Sequence, residues 1–391
     1  MNEHILHKAV QDFLVDYGLK DPLPLAFKKA VFLNVTNKEL IEQLVSRKKA
    51  SKKLPSWYAE NTIYYPPPIS IEQASSERTA KYKANLIKGE SIIDITGGFG
   101  VDCFYFSKKV TRVTHCEQQL QLSEIAGHNF KQLGVNNISC IAQDGIQFLQ
   151  DTNLHFDWIY VDPGRRDTTK RKVFFLSDCT PNVPKHIELL LKKTDNVLIK
   201  TSPLLDISVG LKELVHVKEI HIVALKNEVK ELLWVIGKKE ANDIAVTAIN
   251  LDTEQESFKT TYPLKNAEVQ YSIPENYLYE PNPAILKSGA FNEVASQYQL
   301  KKLHQHSHLY TSVDQINFPG RIFKVQKVFD YSKKKLKSIF KGTKANISCR
   351  NFPESPIALK KILNIKDGGS KYLFFTTISN GDLAVLECIK S

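Results

Sequence analysis

The chain has 391 residues, of which 42% are hydrophobic and 24% are charged, values typical of a folded globular protein rather than a disordered one. Its length predicts two or three domains. The formal net charge is +11, and residues 321–391 contain fifteen Lys and Arg against five Asp and Glu, an excess of ten positive charges. Such a basic region is suited to binding a polyanion, although a solvated surface without a partner has the same composition.

The first residues carry no signal for secretion or membrane insertion. They form an amphipathic pattern interrupted by Glu3, Lys8 and Asp12, and nowhere do 18 apolar residues run together. Six cysteines are scattered without a C-x-x-C pair, which argues against a disulfide framework and a structural zinc site. We therefore expect a cytoplasmic protein with no membrane partner and no metal.

The pattern of the first seventy residues predicts a helical segment. Apolar positions recur at helical spacing in Ile5–Leu14 and Leu40–Val45. Prolines at 66–68 end this segment, because proline does not continue a helix. A further helix is expected from Ser75 to Ile87, leading into the first strand.

Between residues 91 and 237, short apolar runs alternate with amphipathic helical stretches. The runs are SIIDI, RVTHC, ISCIA, FDWIYVD, NVLIK and EIHIVAL. This rhythm predicts an α/β fold with a Rossmann-like, doubly wound parallel sheet over residues 71–240. The runs His221–Leu225 and Leu232–Ile236 are too close for a crossover helix, so we expect an antiparallel last strand.

Two further regions follow the predicted sheet. Residues 241–320 are predicted to form a connecting or small accessory region. From 321 to 391, strand patterns alternate with a basic helix at Ser332–Lys341 and a second helix at Ser355–Leu363. This order predicts a small C-terminal α+β domain.

Acidic residues stand at the ends of three predicted strands. The run IIDITGGFGVD, residues 92–102, is a strand, a glycine-rich turn and a helix start, where a ligand can approach the backbone. Glu117 lies 23 positions after Asp94, where an acid can accept both hydroxyls of a ribose. Asp144, beside Gly145, can accept from an adenine amino group, although a lone Asp is also a common helix cap. Together these acids predict a nucleotide-like ligand.

The turn and the fourth strand distinguish between cofactors. Gly97-Gly98-Phe99-Gly100 lacks the G-x-G-x-x-G fingerprint of NAD-binding proteins. The fourth strand ends in Asp162-Pro163, at the edge where a substrate would meet the cofactor. Because proline fixes the backbone, the carboxylate can be held near a nucleophile, although a plain strand-ending turn has the same pattern.

These motifs resemble those of class I S-adenosylmethionine-dependent methyltransferases. More narrowly, SSERTAKYKANLI, DITGGFGVDCFYFS, VDPGRRD and the basic tail are similar to bacterial methyltransferases that carry a C-terminal THUMP-like domain. The resemblance covers residues 70–391 approximately and implies S-adenosylmethionine as the cofactor.

The resemblance also implies a role for each matched residue. The residues expected to shape the methionine pocket are Asp94, Thr96, Gly97, Gly98 and Gly100, with Asp102 completing the motif. Glu117 would hold the ribose, and Asp144 with Gly145 would hold the adenine. Asp162 and Pro163 would face the substrate.

The sequence departs from the family pattern at two places. Thr96 stands where many relatives have the first glycine, and Gly164 and Arg165 replace a Pro-aromatic continuation, so base stacking by an aromatic residue is not expected there. Arg165 and Arg166 would instead grip phosphates or stack on a base, and the alternatives are an exposed basic loop or pairing with carboxylates of the domain. The candidate phosphate contacts in the basic helix are Lys333, Lys334 and Lys335, for which a solvated helix face is the alternative.

The sequence favours methyl transfer from S-adenosylmethionine to a nucleotide in structured RNA, either tRNA or rRNA. The sulfonium is already activated, so alignment supplies much of the acceleration, with Asp162 orienting an amine or accepting its proton. Two alternatives are an RNA-binding protein without catalysis and a methyltransferase for a protein or a small metabolite. The sequence predicts neither the base and atom nor the oligomeric state.

Overall fold

The computed structural model describes residues 1–165, 175–265 and 267–391, and for Arg165 it describes the backbone. The chain divides into two compact units. The first contains residues 1–218 and 231–241, and the second contains residues 219–230 and 242–391. Among the described helices, none is long and apolar enough to cross a membrane.

The first unit begins with a group of helices. They are two 3₁₀ turns (Glu3–Leu6 and Leu23–Phe27), α1 (Lys8–Tyr17), α2 (Asn37–Lys53), α3 (Pro55–Ala59), α4 (Pro68–Gln73) and α5 (Glu77–Leu86). Thr36 and Glu39 form a capping box at the start of α2. Buried Trp57 packs on Phe99 of the glycine turn, with ring centroids 4.7 Å apart. These helices therefore pack directly on the segment that follows the first strand.

Strands and helices then alternate, as the sequence predicts. The elements are β1 (Ser91–Asp94), α6 (Val101–Phe106), β2 (Arg112–Cys116), α7 (Leu120–Gln132), β3 (Ile138–Ile141), α8 (Gly145–Asp151), β4 (Trp158–Val161), β5 (Gly164–Arg165), a 3₁₀ turn (Leu176–Asp178), β6 (Cys179–Thr180), α9 (Val183–Lys193), β7 (Asn196–Thr201), α10 (Ile207–Glu213), β8 (Val217–Leu225) and β9 (Glu228–Gly237). Helices on both faces bury β1 and β4 along their whole length, which explains why these strands are apolar runs.

The main sheet of the first unit has the strand order β9-β7-β4-β1-β2-β3. Strands β7, β4, β1, β2 and β3 are parallel, and β9 pairs antiparallel with β7. The predicted Rossmann-like fold with an antiparallel last strand is confirmed. Because parallel strands share a direction, the residues that follow β1, β2, β3, β4 and β7 lie at one edge of the sheet.

The second unit contains two sheets. Its elements after β8 are β10 (Ile244–Leu251), β11 (Phe258–Tyr262), β12 (Tyr277–Pro281), α11 (Pro283–Ser288), α12 (Phe291–Gln297), β13 (Lys301–Lys302), β14 (Tyr310–Ser312), β15 (Gly320–Asp330), α13 (Lys333–Phe340), β16 (Asn346–Arg350), α14 (Pro356–Leu363), β17 (Lys371–Thr377) and β18 (Leu383–Lys390). One sheet has the order β11-β10-β8, and the other has the order β13-β14-β12-β15-β18-β17-β16. The expected C-terminal α+β architecture is confirmed.

The larger sheet of the second unit crosses the predicted boundary at residue 321. Strand β12 pairs antiparallel with β15, and Leu278 lies opposite Phe323 in this pairing. Both side chains belong to a buried cluster that also contains Phe374 and Leu386. The division of the chain into four domains stays a prediction, but the regions before and after residue 321 share one hydrophobic core.

Candidate cofactor and catalytic site

The hydroxyl of Thr96 joins the end of β1 to the end of β4. Thr96 Oγ1 donates to Asp94 Oδ1 (3.0 Å) and accepts from the backbone N–H of Asp162 (2.8 Å). The backbone N–H of Thr96 also donates to Asp94 Oδ1, at 2.8 Å. A glycine at this position would lack the side-chain bonds. The departure from the family pattern therefore holds Asp94 and Asp162 in fixed relative positions.

The glycines of the turn are required by close packing beneath it. A Cβ on Gly97 would lie 2.4 Å from Nε2 of buried His115, and one on Gly100 would lie 2.4 Å from the Phe130 ring. Gly100 also has a positive φ of 85°, which other residues adopt only with strain. His115 Nε2 lies 3.2 Å from the carbonyl oxygen of Gly98, to which it donates. Burial lowers the pKa of His115 to about 4, so this ring is neutral.

Glu117 follows β2 and braces the same turn. Its Oε2 accepts from the backbone N–H of Gly98 (2.9 Å), and its Oε1 accepts from that of Gln119 (2.8 Å). The residue is 8% exposed. Each carboxylate oxygen has a second lone pair, so the predicted ribose contact is compatible with these bonds and stays a prediction.

Asp144 follows β3 and caps α8. Its Oδ1 accepts from the backbone N–H of Gln147 at 2.9 Å, so the helix-cap role that the sequence left open is present. Next to it, a Cβ on Gly145 would lie 2.4 Å from both the Cβ and the carbonyl oxygen of Ile95. Exposed Asp144 also lines a surface pocket with Ile146, Thr180, Pro181, Asn182, Lys185 and His186. The predicted adenine contact is untested.

Asp102 takes part in a buried network instead of lying open to solvent. Its Oδ2 accepts from Ser75 Oγ (2.8 Å) and from the Tyr160 hydroxyl (3.0 Å), and its Oδ1 lies 3.1 Å from Lys83 Nζ. Lys83 is fully buried and also donates to both carboxylate oxygens of Glu231, at 3.0 and 3.1 Å. Lys83 of α5 thus places its ammonium group between α6 and β9, and the carboxylate of Asp102 lies beside this ammonium group.

Asp162 lies at the carboxyl end of β4 and pairs with Lys200 on β7. Lys200 Nζ donates to Asp162 Oδ2 at 2.5 Å. The side chain of Asp162 is 33% exposed and that of Lys200 is 13% exposed. Asp162 Oδ1 accepts no hydrogen bond from the residues that the structure describes. Pro163 follows and leads into the short strand β5. The predicted catalytic carboxylate is thus held through Oδ2 and is partly exposed.

These groups form one charge cluster, which we call the acidic cluster. Among the described residues, it contains four carboxyl groups and two ammonium groups, namely those of Asp94, Asp102, Asp162, Glu231, Lys83 and Lys200. Burial raises the pKa of Asp94 to about 7, and the charges of Asp102 and Asp162 add to the effect. Burial also opposes ionisation of Asp102, but Lys83 and Lys200 outweigh it and hold its pKa below the usual value.

The predicted basic contacts fall in two places. Arg165 has its backbone in β5, paired with Cys179, and Arg166 lies outside the described residues together with Lys170, Arg171 and Lys172. The triplet of lysines lies in α13 of the second unit, where Lys333 pairs with Glu354 at 2.9 Å. The other two lysines, Lys334 and Lys335, are exposed.

Exposed lysines recur along one side of α13 and its C-terminal end. Lys334 and Lys337 lie in the helix and Lys341 is its C-cap residue, and their spacing of i, i+3 and i+7 places them on one side, which we call the lysine face. Leu336 and Phe340 are buried against the sheet on the other side of the helix. The sequence predicted the consecutive lysines Lys333–Lys335 as contacts, whereas the helix groups Lys334 with Lys337 and Lys341.

Comparison with known proteins identifies the family. A crystal structure of a proposed methyltransferase from Porphyromonas gingivalis W83 matches with a TM-score of 0.90 and 33% identity, covering 100% of this chain and 98% of that chain. A THUMP domain-like family model matches residues 320–390, and a ferredoxin-like domain model matches residues 277–319. The chain belongs to the methyltransferase family with a C-terminal THUMP-like domain.

A curated relative of this methyltransferase matches over a shorter segment. An uncharacterised RNA methyltransferase of Mycoplasma mobile is 32% identical over 77 residues, which are 20% of this chain and 21% of that protein. The chain therefore aligns with about a fifth of that relative's length. In the described part of the methyltransferase, no group of three or more His, Cys, Asp or Glu side chains is arranged to hold a metal ion.

Sequence reasoning missed three members of the acidic cluster. Lys83 lies within a segment predicted only as helix, Glu231 directly precedes the predicted strand Leu232–Ile236, and Lys200 ends the apolar run NVLIK. A lysine near the end of a buried parallel strand was a usable signal, because this edge of the sheet holds ligands in α/β proteins. Lys83 offered no comparable signal, because its helix also carries the exposed Lys81.

Proposed function

We propose that this methyltransferase transfers a methyl group from S-adenosylmethionine to a nucleotide in structured RNA, either tRNA or rRNA. The observation that carries the proposal is the partly exposed carboxylate of Asp162 at the carboxyl end of β4, in a chain whose THUMP-like region presents the lysine face.

The chemistry of the acidic cluster fits this cofactor. Four carboxyl groups against two ammonium groups leave two excess negative charges when all are ionised, and a ligand with a sulfonium, an α-ammonium group and one carboxylate, of net charge +1, would offset part of this excess. Asp94 and the turn at Gly97–Gly100 would hold the methionine part. Glu117 and Asp144 would hold the ribose and the adenine.

Asp162 is proposed to orient the nucleophile. When bound, S-adenosylmethionine supplies a methyl group activated by the positive sulfur. Asp162 Oδ1, to which no described residue donates, would accept a hydrogen bond from an amine of the base, align its lone pair with that methyl group and take the proton that the amine loses. Thr96 fixes the backbone of Asp162, and therefore limits the motion of this carboxylate.

The placement of lysines in α13 supports an RNA substrate. Three lysines occupy the first turn of the helix, and this turn has no acidic residue. Cations at a helix N-terminus are unfavourable for the helix because they lie at the positive end of its dipole. Because these lysines lower the stability of the helix, their presence favours a role in binding phosphates. The Mycoplasma mobile relative, named as an RNA methyltransferase, agrees with this proposal.

The proposal is tested by mass mapping of modified nucleosides in tRNA and rRNA from cells with and without the protein. RNA from the deficient cells is then incubated with purified protein and radiolabelled S-adenosylmethionine. We expect one methylated nucleoside to be lost from the cells and restored in vitro. The Asp162→Asn variant should transfer methyl groups on the order of 10²-fold more slowly or worse.

Three outcomes would contradict the proposal in different ways. Label found in protein or small metabolites would replace the RNA substrate. Cofactor binding without transfer to any RNA would favour a binding protein that has lost catalysis. Failure to bind the cofactor would remove the methyl-transfer assignment of the acidic cluster.

A further inference from the structure

Lys200 occupies a position that the proposed chemistry does not yet explain. It lies on β7, the strand next to β4, so its ammonium group reaches the carboxylate that ends β4. Its side chain is 13% exposed, while the exposed lysines of α9 and α10 lie on helix surfaces. A largely buried lysine is costly unless its charge is matched, which points to a defined role.

The surroundings keep Lys200 charged. Burial opposes its charge, but the carboxylates of Asp162, Glu231 and Asp102 outweigh burial and hold the pKa of Lys200 above its usual value. Lys83, the other ammonium group of the acidic cluster, is bonded to Glu231 and lies 3.1 Å from Asp102. Of the two ammonium groups, Lys200 is therefore the one paired with the accessible carboxylate.

We propose that Lys200 is a positioning residue for methyl transfer, holding Asp162 through Oδ2 so that Oδ1 faces the substrate. This inference rests on the proposed function. The backbone of Asp162 is fixed by Thr96 and its carboxylate by Lys200, so both rotatable bonds of the side chain are restrained.

The pairing also restricts the class of nucleophile. Lys200 donates to the carboxylate of Asp162 in an ion pair, and a carboxylate in an ion pair only accepts hydrogen bonds. The group that it orients must then carry a proton to donate, as an amine of a base does. A ring nitrogen without hydrogen would gain nothing from Asp162.

The test compares Lys200→Met, which removes the charge, with Lys200→Arg, which keeps it. Lys192→Met, on the exposed surface of α9, is the matched control. S-Adenosylhomocysteine affinity is measured by calorimetry. Single-turnover methyl transfer to RNA from deficient cells is measured between pH 5.5 and 9.

We expect Lys200→Met to slow transfer by on the order of 10²-fold while ligand affinity changes less than about threefold. The loss should appear at every pH measured, while Lys192→Met keeps the wild-type rate. Lys200→Arg should recover at least about tenfold of the lost rate. A wild-type rate in Lys200→Met, or a loss confined to ligand affinity, would overturn the proposal.

A second measurement separates this inference from the RNA assignment. The carboxyl ¹³C resonance of Asp162, assigned by its loss in Asp162→Asn, is recorded at one pH in each variant. We expect its chemical shift to change in Lys200→Met, which removes the paired ammonium group, and to stay at the wild-type position in Lys192→Met. An unchanged chemical shift in Lys200→Met refutes the proposal whatever the activity. A changed chemical shift in a protein that methylates no RNA keeps the pairing and refutes the substrate.

Discussion

Glu117 combines two roles at a single residue. Its two carboxylate oxygens accept backbone N–H groups on either side, so it shapes the turn that would receive the cofactor. A ribose contact would use the remaining lone pairs of the same oxygens. A change at Glu117 therefore affects the ligand directly and through the turn.

Glu117→Gln should weaken S-adenosylmethionine binding by tenfold or more, corresponding to about 1.5–3 kcal/mol. The reason is that the NH₂ of a carboxamide cannot accept a hydrogen bond, so the backbone N–H of either Gly98 or Gln119 loses its acceptor. Calorimetric titration measures the affinity, and Glu124→Gln, at an exposed position of α7, is the matched control. Equal affinities in the two variants would remove Glu117 from the site.

The pKa of Asp94 predicts that both stability and cofactor affinity depend on pH. Its pKa of about 7 exceeds the usual value of 3.8, so the folded protein binds more protons than the unfolded chain between these values. This contribution to stability is present at low pH and is lost as pH rises through 7. A cationic ligand prefers ionised Asp94, so its affinity should change in the opposite direction.

Affinity for S-adenosylmethionine should rise by up to about tenfold per pH unit as pH approaches 7 and then level off. In Asp94→Asn this rise should disappear and binding should be weaker throughout. Because the ligand's own ionisation is common to both proteins, the difference between their calorimetric titrations isolates Asp94. Parallel pH profiles would mean that Asp94 does not sense the ligand.

At the scale of elements, α13 has its exposed lysines on one side and its buried apolar residues on the other. Its apolar side packs on the sheet through Leu336 and Phe340, which leaves the lysine face in solvent. The pairing of Lys333 with Glu354 makes that lysine a poor probe of RNA binding. The lysine face is a better probe, because its three members project on one side of the helix.

Replacing Lys334, Lys337 and Lys341 by Gln should weaken RNA binding and reduce the log–log salt slope by about 2–3, since each neutralised phosphate contributes roughly 0.7–0.9. Lys324, Lys327 and Lys390, exposed on β15 and β18, provide a control with the same charge change. RNA binding is measured across a salt series, and cofactor affinity should stay unchanged in both triple variants. Coincident slopes for the two triples would show that the lysine face has no specific role.

At the scale of the whole molecule, buried charges connect distant parts of the first unit. Lys83 on α5 bonds Glu231 on β9, 148 positions away in sequence, and lies beside Asp102 on α6. Removing one partner of a buried ion pair leaves the other charges uncompensated. The network that surrounds the proposed active site therefore also stabilises the first unit.

Lys83→Met should lower the free energy of unfolding of the first unit by about 3–5 kcal/mol. Lys81→Met, an exposed position on the same helix, should have little effect. The three tryptophans, Trp57, Trp158 and Trp234, all belong to the first unit, so urea unfolding followed by tryptophan fluorescence reports on it selectively. Equal stability of the two variants would show that the buried network contributes nothing net.

The sequence alone determined the fold class and the edge of the sheet where the candidate site lies. Both depend on local patterns: apolar runs alternating with helical stretches, a glycine turn after β1, and acids shortly after the ends of β2, β3 and β4. Chain direction in a parallel sheet then brings strand ends together without further information. The predicted Asp162 and the brace Glu117 follow from this rule.

Only the tertiary structure decided how the charged side chains pair. Asp102 belongs to the cofactor motif in sequence, yet it is directed to buried Lys83, and Asp162 pairs with Lys200, 38 positions later. The sequence does not distinguish a solvated lysine from a buried one, because burial depends on strands and helices that come from elsewhere in the chain. The same holds for the sheet that crosses residue 321, since its strand pairing is set by contacts between segments far apart in sequence.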